Sequence, residues 1–272
     1  YWSDLGVISC GGNAGALMSN SRCFGVRDNG AGSQEVIHLS NQIVESLPLN
    51  ALSMTPTCSS CQSTLFTLSP GSDTLDFAVS GSGFIFVLRT GSSPGIHVTA
   101  RYGASVSNLG MPDGYSYTRV LACRTCETPT VAIAFDATNG RLCVMRSAGT
   151  AMAVDFTLTL TATSIAAPYD AESIYLTNEG TYFGVATSDG RVCLYNLVSN
   201  AVVDPFVSGM PSGVKVLVTN DARLYALRRW NGAGSILSRL VYTSSYSLSI
   251  STAASLPQGA PDPAAGVPPI IQ

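Results

Sequence analysis

Charge is scarce in this chain. Asp, Glu, Lys and Arg make up 11% of its 272 residues, against roughly a quarter in an ordinary globular domain. Lys215 is the only lysine. The formal net charge is −3 and no basic cluster occurs, so the electrostatic footprint of a nucleic-acid partner is missing. No apolar run approaches the length of a membrane span. No Asn-x-Ser/Thr sequon occurs, which argues against N-linked glycans; the many Ser and Thr leave O-linked sugars open.

Histidine is scarce too: His38 and His97 are the only two. A histidine alone on a strand reads as structural. Asp113, Asp136, Asp189 and Asp221 fall in or beside turns, where such side chains bond their own backbone. No Asp-rich loop gathers the several oxygens that calcium needs. A glycosidase pair could hide among Asp76, Asp155, Glu172 and Glu179, because folding joins distant carboxylates. The motifs therefore assign no catalytic residue, cofactor or metal, and a non-enzymatic protein is expected.

What the chain does have is a repeated hairpin phrase. Tyr182–Ala186 runs through Ser188-Asp189-Gly190-Arg191 into Val192–Asn196, and Asp-Gly between apolar runs predicts a two-residue type I′ turn. Ile133–Asp136 runs through Thr138-Asn139-Gly140-Arg141 into Leu142–Arg146. Val216–Val218 runs through Asn220–Arg223 into Leu224–Arg228. Phe77–Val79 runs through Gly81-Ser82-Gly83 into Phe84–Arg89. A weaker copy is Ala16–Met18 through Asn20-Ser21-Arg22 into Cys23–Arg27, within a first partial blade over residues 1–30. Residues 35–47 fit either an amphipathic helix or two strands around Ser40-Asn41. Residues 151–164 and 235–251 alternate as half-buried strands.

Copies roughly 30 to 60 residues apart mean radial or linear repetition, and scarce helical periodicity favours small antiparallel sheets. The phrases Ser188–Tyr195 and Asp221–Leu227 resemble the inner hairpins of WD-repeat and quinoprotein-type β-propeller blades. The resemblance covers most of residues 1–250, but the Trp-Asp and Gly-His signatures of WD repeats are absent, so it implies a fold and no family function. The expected fold is all-β: a propeller of about five to six small blades over residues 1–254, with a β-sandwich as the alternative.

Eight cysteines, Cys10, Cys23, Cys58, Cys61, Cys123, Cys126, Cys143 and Cys193, are an even number at scattered spacings. They read as disulfides of a secreted protein. Cys58-Ser59-Ser60-Cys61 and Cys123-Arg124-Thr125-Cys126 could instead share a zinc ion or act as redox dithiols. Their wide separation and lack of a strand-to-helix junction put structural disulfides first, zinc second and redox third. The simplest pairing joins a cysteine ahead of a hairpin to one inside it, as Cys10–Cys23 and Cys126–Cys143 would. Arg22, Arg141, Arg191 and Arg223 close the hairpins. Solvated or carbonyl-bonded side chains are the plain reading; a ring that binds an acidic ligand is the sharper one.

From Ser255 the composition changes. Residues 255–272 hold five prolines and read as an extended arm. Leu256, Val267, Pro268, Pro269, Ile270 and Ile271 give it an apolar face suited to docking, on a neighbouring copy or on its own domain. Tyr1 stands where an initiator methionine would, so the chain reads as a mature product or a segment of something longer. The expected function is an extracellular assembly module, a subunit of a fibre, wall or appendage polymerising through the arm. A ligand-binding propeller, lectin-like or adhesive, and a secreted hydrolase are the competitors.

Overall fold

The computed structural model describes residues 24–32, 34–40, 43–48, 63–68, 74–114, 116–126, 128–160, 169–187, 192–207, 215–218, 224–230, 234–242 and 248–255. Five four-stranded sheets lie among them, each built from four consecutive strands in chain order. The first contains β1 (Phe24–Asp28), β2 (Gln34–Ser40), β3 (Ile43–Pro48) and β4 (Ser63–Thr67). The second contains β5 (Thr74–Val79), β6 (Ile85–Arg89), β7 (Gly95–Thr99) and β8 (Val106–Asn108). The third contains β9 (Arg119–Ala122), β10 (Val131–Asp136), β11 (Arg141–Ala148) and β12 (Ala151–Thr159). β13 (Tyr169–Leu176), β14 (Tyr182–Thr187), β15 (Val192–Asn196) and β16 (Ala201–Val207) form the fourth. β17 (Lys215–Val218), β18 (Leu224–Trp230), β19 (Gly234–Tyr242) and β20 (Leu248–Ser255) form the fifth. Separate chain-contiguous sheets are not the two facing sheets of a sandwich. Residues 35–47 resolve as two strands, with Ser40 opposite Ile43.

The four hairpin phrases whose strands are described form antiparallel pairs, but at two different places in the sheet. β5–β6 and β17–β18 join first and second strands, whereas β10–β11 and β14–β15 join second and third. The copies are thus alike in chemistry and unlike in position. The Asp189-Gly190 turn lies outside the described residues; the strands on either side of it pair with Ala186 opposite Val192. The copy around Arg22 lies outside the described residues.

The chain divides into two compact units, residues 1–134 with 145–156, and residues 135–144 with 157–272. Within the first unit β1 neighbours β5, and β5 neighbours β9. Within the second, β13 neighbours β17. First strands side by side are what radial repetition of small sheets produces. β6 and β7 are buried at every residue. Their runs Ile85-Phe86-Val87-Leu88 and Ile96-His97-Val98 are apolar or neutral on both faces, so the sheet is covered on both sides. Ile85 and Val87 enter a cluster with Ile37, Leu39, Val44, Leu68 and Phe77; Phe84, Phe86 and Leu88, on the alternate face, are equally buried. Each such side chain contributes about 1.5–3 kcal/mol. In the second unit Phe135 meets Phe183 at 5.5 Å between ring centroids. β12 departs from the half-buried expectation: Met152 is buried but Val154 is exposed, because β12 is the outer strand of its sheet.

The turns after the first strands are tied together in the first unit. Asp28, ending β1, donates its N–H to the Gly81 carbonyl at 3.2 Å, and Gly81 donates to the Cys123 carbonyl at 3.3 Å. Gly81 must be glycine, since a Cβ there would overlap the Arg124 carbonyl oxygen. Gly81→Ala is expected to cost about 2–3 kcal/mol by overpacking and loss of this contact. Urea denaturation measures it; a neutral substitution would mean the turns do not touch.

His97 gives a pH dependence. It is buried on β7, with Nε2 facing the Ser93 carbonyl at 3.1 Å. Burial pushes its pKa down; the Ser93 bond raises it, and the Arg89 charge lowers it further. A depressed imidazole favours the neutral form, so its contribution is complete above the unfolded pKa of about 6.5. Stability should fall as pH drops from there through the folded pKa. In urea titrations at pH 7.5 and 5.5, His97→Gln should show a smaller difference than the parent. An equal difference would contradict the assignment.

Candidate ligand cleft at the turn end of the first unit

The tied turns wall a cleft of about 310 Å3 lined by Val26, Arg27, Asp28, Gly81, Ser82, Tyr102, Arg124 and Thr125. Its floor is rigid for identifiable reasons. Arg27 is buried at the end of β1, its Nε donating to Glu35 Oε1 at 2.6 Å and its Nη1 to the Gly83 carbonyl at 3.0 Å. Its charge is therefore compensated, and its function is to hold the β5–β6 turn. Arg101 donates from Nε to the Ser82 carbonyl at 2.9 Å. Behind the turn runs a buried hydroxyl chain: Ser80 to Ser82 at 3.1 Å and Ser82 to Thr130 at 2.6 Å. Ser80 Oγ also accepts the Phe84 N–H at 2.9 Å. Buried polar groups satisfied in this way fix one turn conformation.

The wall groups differ from the floor. Tyr102 has a left-handed backbone, φ 58°. Its ring lies under the Arg101 guanidinium at 5.1 Å and beside the backbones of Gly30 and Gly83. Arg124 and Thr125 are exposed. Among the described residues, neither side chain has a hydrogen-bond or ion-pair partner, nor has the Tyr102 hydroxyl. Asp28 Oδ1 accepts the Gly30 N–H at 2.6 Å. With Arg27 neutralised by Glu35, the charges left in the cleft lining are Arg124 and Asp28.

Cys123 and Cys126 are disulfide-bonded to each other. This replaces the expected Cys126–Cys143 pairing, which the sequence favoured by hairpin position; a four-residue loop closes on itself with far less chain to order. Cys143 is buried on β11. The bond also occupies two of the four sulfurs that a zinc ion shared by the two motifs would use. Cys10, Cys23, Cys58 and Cys61, and the Cys193 side chain, lie outside the described residues. So do Arg22, Arg191 and Arg223, and the arm residues Leu256, Val267, Pro268, Pro269, Ile270 and Ile271. β20 ends at Ser255, and residues 256–272 lie outside the described residues.

Arg141 is not poised for a ligand: it donates to Thr159 at 2.5 Å and Thr157 at 2.8 Å on the neighbouring β12. Asp76 is buried and accepts from Arg119 Nε at 2.8 Å and the Val120 N–H at 2.9 Å. Asp155 holds Arg146 at 2.9 Å. These two carboxylates are engaged in ion pairs, and Glu179 is in the other unit. Among the described residues no group of three or more His, Cys, Asp or Glu could hold a metal ion. Sequence reading missed Arg27, Arg101, Tyr102 and Thr125, and saw Arg124 only as filler in a cysteine motif. The small residues of Gly81-Ser82-Gly83 were the one available signal of close approach.

No family model matches the chain, and no curated protein matches it. Solved structures do. An oligogalacturonate lyase from Vibrio parahaemolyticus is similar with TM-score 0.52 at 8% identity, over 82% of this chain and 62% of that one. The dihydro-heme d1 dehydrogenase NirN, in complex with DHE, gives TM-score 0.49 at 16% identity, over 83% of this chain and 46% of that one. The WD40 β-propeller domain of Doa1 gives 0.47 at 13%, over 85% of this chain and 68% of that one. The chain thus spans about half to two thirds of the length of the first two. At such identities the likeness is one of fold. The contiguous four-stranded sheets and their adjoining first strands, with the likeness to the lyase at TM-score 0.52, identify the fold as an all-β propeller.

Proposed function

We propose that this propeller is a recognition module that holds a carboxylate group of its partner in the turn-end cleft. One observation carries the reading: among the described residues the Arg124 guanidinium has no partner, in a cleft whose other wall residues include Tyr102 and Thr125. A guanidinium fork matches a carboxylate in two parallel hydrogen bonds, and the hydroxyls suit a ligand that also carries hydroxyls. Tyr102 offers an edge and a hydroxyl rather than an open ring face, which fits a charge-anchored ligand better than a sugar stacked on an aromatic. An exposed anchor of this kind supports weak binding, on the order of millimolar.

Calorimetry with citrate and galacturonate, and galactose as the neutral control, tests this. Both acids should bind, galacturonate the tighter, and galactose should not. Arg124→Ala should weaken binding about 10- to 100-fold, the loss of one charge-assisted contact. Equal affinity in parent and variant would refute the cleft.

A second reading concerns the setting. The scarcity of charge and the Pro-rich arm favour an extracellular assembly, a fibre, wall or appendage, with residues 255–272 docking on a neighbouring copy. Burying Ile270 and Ile271 would contribute about 3–6 kcal/mol before ordering costs. Deleting residues 256–272 should leave the β-domain folded and shift sedimentation toward monomer. Unchanged assembly would reduce the arm to a linker.

A further inference from the structure

We propose that Cys126 Sγ is a site of thiol–disulfide exchange, with a small dithiol as co-reactant, and that exchange there loosens the Arg124-Thr125 wall of the cleft. Cys123 is wholly buried, whereas Cys126 is partly exposed, so the Cys126 end of the bond is the more accessible one. The two ends of the loop are also held differently. Cys123 donates its N–H to the Val131 carbonyl at 2.9 Å and accepts the Gly81 N–H at 3.3 Å. At the Cys126 end the disulfide provides the tie. The Val131 N–H lies 3.3 Å from Cys123 Sγ and 3.2 Å from Cys126 Sγ. It can therefore face the negative charge on either sulfur.

The chemistry follows from access. One thiolate of the dithiol attacks Cys126 Sγ, forming a mixed disulfide, and the electron pair of the broken bond leaves on Cys123 Sγ beside the Val131 N–H. The dithiol's second thiolate attacks its own sulfur in the mixed disulfide and expels Cys126 thiolate. The dithiol is oxidised to a cyclic disulfide, the cysteine pair is reduced, and the two protons of the dithiol end on Cys123 and Cys126. Cys123 stays anchored to Val131 and Gly81. Arg124, Thr125 and Cys126 lose their covalent closure. The consequence for a ligand rests on the recognition reading above; the exchange itself does not.

Two measurements on the full chain test this. Under native conditions, Cys123→Ser should form a mixed disulfide with glutathione disulfide at Cys126. Peptide mapping should show this at least ~10-fold faster than Cys126→Ser does at Cys123, since reactivity follows exposure. In the parent protein, dithiothreitol should open this bond with the β circular-dichroism signal intact. Hydrogen exchange at the Arg124, Thr125 and Cys126 amides should then rise about 10-fold while the Cys123 amide, bonded to Val131, stays protected. Equal or reversed labelling rates, opening only on unfolding, or equal loosening of Cys123 would each overturn the proposal. A protein that exchanges at Cys126 and loosens this loop yet binds neither citrate nor galacturonate supports this proposal and refutes the recognition reading.

Discussion

Both faces of the central strands must be kept from water, and the rest of the architecture follows from that. β6, β7 and β10 are buried at every position. A four-stranded sheet with apolar side chains above and below cannot stand alone; a neighbouring sheet is the cover that repeats most simply. Bringing sheets so close forces backbone contact where turns meet. Gly25 illustrates it on β1, where a Cβ would lie 2.6 Å from Val79 Cβ on β5. The cleft is a by-product of the same crowding: turns held close by backbone hydrogen bonds leave a concave gap, and the side chains at its edge are the ones available for chemistry.

The hairpins were legible in the sequence because they are local. Phe77–Arg89 and Ile133–Arg146 each place alternating or continuous apolar residues around a polar turn, and those signals survive without knowledge of the fold. Their place within a sheet was not legible. Nothing in Val216–Arg228 distinguishes a pair joining first and second strands from one joining second and third, since both positions ask for the same residues. Of the arginines that close the hairpins, Arg22, Arg191 and Arg223 lie outside the described residues. Arg141 found partners on its own neighbouring strand, Thr157 and Thr159.

The cleft was less legible still. Arg27, Tyr102 and Arg124 come from three different sheets or their turns, and only the approach of those turns brings them together. Arg27 and Glu35 are eight residues apart across a tight turn and form a buried ion pair. From sequence they are two ordinary charges on a hairpin. Desolvation makes such a pair costly to break on one side, and this fixes Arg27 as a strut while Arg124, exposed and without a partner among the described residues, takes the opposite role.

Two glycines at the rim of the cleft are held twice over. The Tyr102 ring occupies the space that a side chain on Gly30 or Gly83 would need, and those glycines belong to turns of two different sheets. Their backbones also have positive φ, 79° and 100°, which any side chain would strain whatever stands at 102. Shrinking Tyr102 would therefore open space without freeing either glycine. The rim of the cleft can drift at 102 and hardly at all at 30 and 83.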